Sequence, residues 1–367
     1  MHRRALLLGL SGLPGLSGLF GLPSAARAQA PAAGRSAGLV FPRDFGAHPS
    51  SKIEWWYVTG ALEAERRLWG FQITFFQAAT GVAADHPSRF AARQILFAHA
   101  ALTDLQARRL HHDGRIARDG FGVAHAARGD TRIVLRDWSF ARSGPVAASR
   151  YTAQVASEAG PFGFDFSFQA DRAPLLQGIA GISQKGPDPS QTSRYYSLPQ
   201  LAVAGRLRLA DRQIAVRGRA WLDHEWSDGF LPAEAVGWDW VGMNLDDGAA
   251  LTAFSMRRRD GTALYAGGSF RNPAGVVRNF SADQVRFEPG RRWRSPASKG
   301  EYPVEWTLHT PAGTFQVKTL LDAQELDSRS STGTIYWEGL SELLDATGRR
   351  VGRGYLEMTG YAGPRVM

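Results

Sequence analysis

Hydrophobic and polar positions alternate with a period of two along most of this chain. Phe162, Phe164, Phe166 and Phe168 are spaced by Gly163, Asp165 and Ser167. Trp69, Phe71, Ile73 and Phe75 are spaced by Gly70, Gln72 and Thr74. Successive side chains of an extended chain point to opposite faces, so each run predicts a strand with one apolar face. Residues 216–222, 284–287 and 314–318 continue the pattern, and Asp113-Gly114, Asp119-Gly120, Asp247-Gly248, Asp260-Gly261 and Asn272-Pro273 supply turn signals between strands. Helical periodicity is scarce, with short helices expected around residues 89–95 and after Leu198, and residues 341–344 fitting helix or strand. Many short antiparallel strands predict an all-β protein of sandwich or barrel type.

One hairpin dominates. Glu54-Trp55-Trp56-Tyr57-Val58 runs on to Leu62, a charged link follows over residues 63–67, and Leu68-Trp69-Gly70-Phe71 opens the return strand. At an offset of 183 the hairpin is echoed. Trp55 falls on Trp238, Val58 on Val241, Leu62 on Leu245, Leu68 on Leu251 and Phe71 on Phe254, five identities in seventeen positions. Such an echo predicts a tandem duplication, and therefore two barrel-like domains joined between Arg206 and Trp226. It also sets Asp239 at the place of Trp56.

Composition sharpens this picture. The chain has 367 residues, more than one hydrophobic core usually serves, and its 44% hydrophobic and 21% charged shares are those of a globular protein. The first thirty residues stand apart. Arg3-Arg4 precede an uncharged run over residues 5–22, and Ala26-Arg27-Ala28 offers a small-x-small cleavage site. This pattern predicts a secretory signal cut after Ala28 or Ala30, of twin-arginine or Sec type, and a periplasmic or secreted protein. Five glycines and Pro14 in the run argue against a membrane anchor. Loss of Arg3, Arg4 and Arg27 lowers the formal charge from +9 to +6. The remaining excess is scattered and accompanies no nucleic-acid motif. No cysteine is present, which excludes disulfides and thiolate chemistry.

A long polar segment from Ser183 closes on Tyr195-Tyr196-Ser197, the kind of loop that often carries function. Lys185-Gly186-Pro187 within it, Phe41-Pro42-Arg43-Asp44 with His48-Pro49 and Glu54-Trp55-Trp56-Tyr57, Trp221-Leu222-Asp223-His224-Glu225-Trp226, Tyr336-Trp337-Glu338-Gly339 and residues 354–361 occur in an order that resembles the AttH/CrtC family. The resemblance spans essentially the whole mature chain. It implies two tandem lipocalin-like (calycin-type) antiparallel β-barrel domains, here expected at residues 31–220 and 221–367. It further implies an apolar small-molecule ligand such as a lipid, isoprenoid or polyene, no obligatory cofactor, and either carriage beside an ABC transporter or carotenoid 1,2-hydratase-like addition of water. Similar fungal double barrels steer cycloadditions of polyene chains, so the architecture supports enzymes without making this chain one.

For hydration, a protonated acid must reach carbon, and an apolar enclosure that raises a carboxyl pKa supplies one. Asp239, flanked by Trp238 and Trp240, is the expected acid. His224 is the expected water-orienting partner, with Asp223 or Glu225 setting its tautomer. Trp56, Tyr57, Tyr195, Tyr196, Trp221, Trp226, Trp238 and Trp240 are the candidate aromatic walls, able to line an apolar pocket and steady a cation. Glu54 is expected to bridge to Lys52 or Lys185, His99 to be a satisfied core residue, and His111-His112 to lie in an exposed turn. No Gly-x-Ser-x-Gly elbow, His-Glu-x-x-His helix, P-loop or dinucleotide fingerprint is present, and no metal site is expected.

Overall fold

The computed structural model describes residues 38–83, 85–229 and 231–363, so the expected signal segment lies outside the described residues. Thirteen strands make the first sheet. It opens with β1 (Ile53–Ala64), β2 (Arg67–Ala79), β3 (Gln94–Asp104) and β4 (Arg109–Arg118). Five shorter strands follow: β5 (Ala124–Ala126), β6 (Arg132–Leu135), β7 (Trp138–Ser143), β8 (Arg150–Ala156) and β9 (Phe162–Gln169). After the brief β10 (Leu175–Leu176) and β11 (Ile182–Gln184) come the long β12 (Thr192–Leu209) and β13 (Arg212–Ser227). Their order, β4-β3-β2-β1-β13-β12-β9-β8-β7-β6-β5, curls into a nearly closed antiparallel barrel.

The second sheet repeats the idea with β14 (Gly237–Leu245), β15 (Ala250–Arg257), β16 (Ala263–Arg271), β17 (Val277–Phe280) and β18 (Arg286–Pro289). A small separate pair, β19 (Arg292–Arg294) and β20 (Glu301–Pro303), is followed by β21 (Glu305–Thr310), β22 (Gly313–Thr319), β23 (Glu325–Asp327), β24 (Ile335–Leu344) and β25 (Arg350–Thr359). The path β17-β16-β15-β14-β25-β24-β22-β21-β18 is antiparallel throughout. The protein is all-β, with two tandem lipocalin-like sheets. The passage between them falls after Ser227 and before Gly237, because β13 runs unbroken through residue 221, where a boundary was expected.

Each sheet encloses a core. Trp56, Val58, Leu62, Phe71 and the phenylalanine row of β9 fill the first, and Val241, Met243, Leu251, Trp306 and Leu356 fill the second. A third cluster lies between the sheets and contains Tyr57, Trp221, Trp240, Phe254, Leu340 and Tyr355. Strands such as β1 and β14 are therefore buried on both faces, one inside their own barrel and one against the other.

The hairpin echo holds on its first strand and inverts on its second. Val58 and Val241, and Leu62 and Leu245, all point into their own barrels. In the first hairpin Leu62 pairs with Trp69, so the offset would set Leu245 opposite Thr252. Instead Thr252 pairs with Gly242, three residues earlier. An odd shift sends every side chain of the strand to the other face. Phe71 accordingly fills barrel one, whereas Phe254 faces the space between the sheets. The helices expected near residue 89 and after Leu198 are not formed, and the helical turns among the described residues are three short 3-10 segments. His111, His112 and Asp113-Gly114 lie within β4, not in a turn.

Candidate active site between the two barrels

The two sheets leave a cavity of about 100 Å³ between them, walled on one side by β1, β2, β3, β12 and β13 and on the other by β14, β15, β24 and β25. That volume holds several waters or a compact end group. Trp55, Phe76, Phe97, Trp238, Trp240 and Phe254 give it aromatic walls. Alternation decides which neighbours join them. On β1, Trp55 and Tyr57 face the cavity, whereas Glu54 and Trp56 face barrel one. On β13, Asp223 and Glu225 face the cavity, whereas His224 and Trp226 face barrel one.

Asp223 is the focus of the polar wall. Its Oδ1 accepts hydrogen bonds from Ser197 Oγ at 2.6 Å and Trp221 Nε1 at 2.7 Å, and its Oδ2 accepts from the Tyr195 hydroxyl at 2.7 Å. These three donors favour the carboxylate, but burial outweighs them and pushes its pKa up to about 7. Burial and the adjoining Asp223 charge hold the Tyr195 hydroxyl well above the ordinary phenol range, and that oxygen also accepts from Trp240 Nε1 at 3.3 Å. Tyr195 thus connects an indole to an acid that is half protonated at neutral pH.

Glu225 lies two residues on and is held differently. Lys185 Nζ stands 2.9 Å from its Oε1, and Ser193 Oγ donates to the same oxygen. The ammonium also lies 4.6 Å from the Tyr195 ring centroid and 4.5 Å from that of Phe254, within cation–π range of both. Lys185 therefore pairs with Glu225, not with Glu54, and brings the polar loop to the mouth of the cavity.

The opposite wall carries a second acidic feature. Glu338 of β24 and Glu357 of β25 are cross-strand partners, and both line the cavity. Burial, reinforced by the Glu357 charge, raises the Glu338 carboxyl well above its usual range. His99, on β3, lies beside them. Burial lowers its pKa to about 3, so it is neutral; its Nδ1 lies 2.9 Å from the Tyr336 hydroxyl and its Nε2 2.7 Å from Ser331 Oγ. His99 is a satisfied buried histidine, as expected, and also a cavity wall. Lys185, Glu338 and Glu357 were not assigned from sequence. Each stands in a segment of the family resemblance, but no local pattern links residues so distant along the chain.

Asp239 does not belong to this site. The pleat that turns Trp238 and Trp240 toward the cavity turns Asp239 into barrel two. There Arg257 Nη1 lies 3.0 Å from both carboxylate oxygens, and the Tyr361 hydroxyl donates to Oδ1 at 2.9 Å. Burial raises its pKa against the pull of Arg257, but the acid is engaged in a structural ion pair. His224 is equally displaced. Its Nε2 lies 2.7 Å from Glu54 Oε1 and its Nδ1 3.0 Å from the Tyr196 hydroxyl, while His48 Nδ1 also lies 2.7 Å from Glu54 Oε1. Asp223 and Glu225 do not set its tautomer; Glu54 does. Trp56, Tyr196 and Trp226 surround this brace inside barrel one. Of the expected aromatic walls, Tyr57, Tyr195, Trp238 and Trp240 line the cavity, and Trp221 lies behind them, bonded to Asp223 and edge-on to Trp240. Among the described residues, His48, Glu54 and His224 form the one convergent set of metal-ligand atoms, within 4.8 Å of one another. Their 2.7 Å contacts are hydrogen-bond distances.

Comparison with known proteins follows the fold closely. The model of the AttH-like family matches residues 32–361. The crystal structure of a candidate AttH protein from Nitrosomonas europaea is 43% identical, covers 89% of this chain and 98% of its own, and superposes with a TM-score of 0.82. Kievitone hydratase from Nectria haematococca shares the fold at 14% identity and a TM-score of 0.67, with 89% of this chain and 94% of that one covered. Dehydratase asqC of Emericella nidulans is 27% identical over 158 residues, which is 41% of this chain and 43% of that protein, so the match spans less than half of the curated relative.

Proposed function

Because this chain belongs to the AttH-like family, with its lipocalin-like double-barrel fold, we propose that it is a cofactor-independent hydro-lyase-type enzyme acting on the unsaturated end of a small molecule held between the barrels. The observation that carries this reading is Asp223, a carboxyl with a pKa of about 7 in an aromatic cavity. Such a group is a proton donor near neutral pH, which a solvent-exposed aspartate is not. The hydratase and dehydratase among its relatives support water addition or removal as the class of reaction.

In the hydration direction the Asp223 proton bonds to one alkene carbon, using the π pair, and the neighbouring carbon becomes a cation. Trp238 and Trp240 face that cation with their rings. Water attacks it to form the C–O bond, and the oxonium proton returns to the Asp223 carboxylate, which restores the acid. The Tyr195 hydroxyl stabilises the transient carboxylate through its bond to Oδ2. Glu225, neutralised by Lys185, orients the incoming water. Elimination is the same path in reverse.

Carriage of a large apolar ligand is the other reading of the family resemblance, and the aromatic lining of the cavity is compatible with it. The amino-terminal pattern supports export, and the reaction would then take place outside the cytoplasm. The test is incubation of the mature protein with isoprenoid alkenes in ¹⁸O-labelled water, followed by mass spectrometry. Label should enter the product with the native protein and fall by about 10²–10⁴-fold with Asp223→Asn, while binding persists. Binding without incorporation into any substrate would leave carriage as the function.

A further inference from the structure

A second opening between the barrels lies further along the same face of β13. Asp223 and Glu225 line the aromatic cavity, whereas Arg217, Arg219 and Trp221 line this other space. Trp221 stands at the partition, since its Nε1 donates to Asp223 Oδ1. The cleft measures about 520 Å³ and is walled on its far side by β14 and β25. Small neighbours leave room for it. Arg219 pairs with Ala61 of β1 and Ala202 of β12, and Arg217 pairs with Glu63 and Ala204. Of these four neighbours, only Glu63 is long enough to reach a guanidinium.

The acids of the cleft are already engaged. Glu63 Oε1 lies 3.4 Å from Arg353 Nη1, and Asp246 Oδ1 lies 3.3 Å from Arg350 Nη1. Glu342 bridges the same two arginines, 3.0 Å from Arg353 Nε and 3.8 Å from Arg350 Nε. Arg217 and Arg219 are exposed, and among the described residues no carboxylate stands within 4.0 Å of either. The lining thus carries four arginines against two acids, an excess of two positive charges. A concave surface with one sign of charge concentrates counter-ions.

We infer that this cleft is a binding site for the phosphate end of a small organic phosphate, clasped by Arg217 and Arg219. Two residues apart on one strand, their side chains leave the same face with Cα atoms about 7 Å apart, and both forks converge on one tetrahedral anion. A phosphate dianion matches the excess of two charges, whereas a carboxylate leaves one uncompensated. The space exceeds what a phosphate alone fills, and Ala61, Leu245 and Trp221 give the organic part an apolar floor.

The experiment is calorimetric titration of the purified chain at about pH 8, where a phosphate monoester is a dianion. The probes are phenyl phosphate, benzoate and benzyl alcohol. Phenyl phosphate should bind about tenfold or more tightly than benzoate, and benzyl alcohol more weakly than either. Added sodium chloride should weaken the phosphate complex. Arg217→Gln and Arg219→Gln together should reduce its affinity about tenfold or more. Both side chains are exposed, so this variant should melt as the native chain does. Arg132→Gln, an exposed position on β6 outside the cleft, should change nothing. Failure of phenyl phosphate to bind, equal affinity for benzoate, or an affinity untouched by the double substitution would overturn the inference. So would an equal loss in Arg132→Gln, which would mark the attraction as one of net charge. The readout is binding in this cleft alone, so each result leaves the proposed hydration chemistry standing.

Discussion

Asp223 and His224 are consecutive in sequence and open onto different interiors. The carboxyl of Asp223 faces the cavity between the barrels, bonded to Tyr195 and Ser197, while the imidazole of His224 lies inside barrel one against Glu54. The pleat of β13 puts a layer of backbone between the carboxyl and the imidazole.

The stability of the protein should carry the mark of Asp223. Its pKa rises from 3.8 to about 7 on folding, so between these values the native state binds more protons than the unfolded one. Stability contributed by the protonated form is present below pH 4 and declines as pH rises through 7. Asp223→Asn removes this slope. The melting temperature of the variant relative to the native protein should therefore increase steadily between pH 4 and pH 8 in parallel thermal scans.

Glu54 should act in the opposite sense. Bonds from the backbone and ring of His48 and from His224 outweigh its burial and hold its pKa below 4.5. Its contribution is present above that value and disappears as pH falls through the folded pKa. Glu54→Gln should lower stability at pH 7 by about 2–3 kcal/mol and flatten the acid limb of the stability curve, measured by urea unfolding. Turnover per folded molecule should change little.

Asp239→Asn separates structure from catalysis. The substitution leaves the Arg257 guanidinium buried without its counter-charge, at a cost of about 3–5 kcal/mol. Unfolding midpoints should fall accordingly. Activity normalised to the folded fraction should remain near native, because this carboxyl faces barrel two and not the cavity.

Lys185→Met tests the polar mouth of the cavity. With the ammonium gone, the Glu225 charge stands uncompensated beside Asp223, which makes the Asp223 proton harder to remove. The alkaline limb of the pH–rate profile should move to higher pH. A loss of rate at every pH with an unmoved limb would show that Lys185 only positions the loop.

Much of this protein was legible in its residues. Period-two runs of phenylalanine and tryptophan specify strands, because an extended backbone leaves a side chain only two directions. The ordered motifs from Phe41 to Tyr361 identified the family and its double barrel. The same patterns named Asp223, Glu225, Tyr57, Tyr195, Trp238 and Trp240, all of which line one cavity.

What alternation cannot supply is which face is which. In β1, β13 and β14 both faces are buried, one in a barrel and one against the neighbouring sheet, so apolarity no longer marks the inside. Asp239 and Asp223 both sit beside tryptophans and read alike in sequence. A difference of one position in the pleat sent one to Arg257 and the other to the cavity. Likewise, nothing local couples Lys185 to Glu225, or Tyr57 to Glu338 across 281 positions. The sequence by itself determined the strands, the family and the kinds of chemical group available. Only the packing of one sheet against the other decided which of those groups meet, because side chains on different strands share a site through register and facing, which no single strand contains.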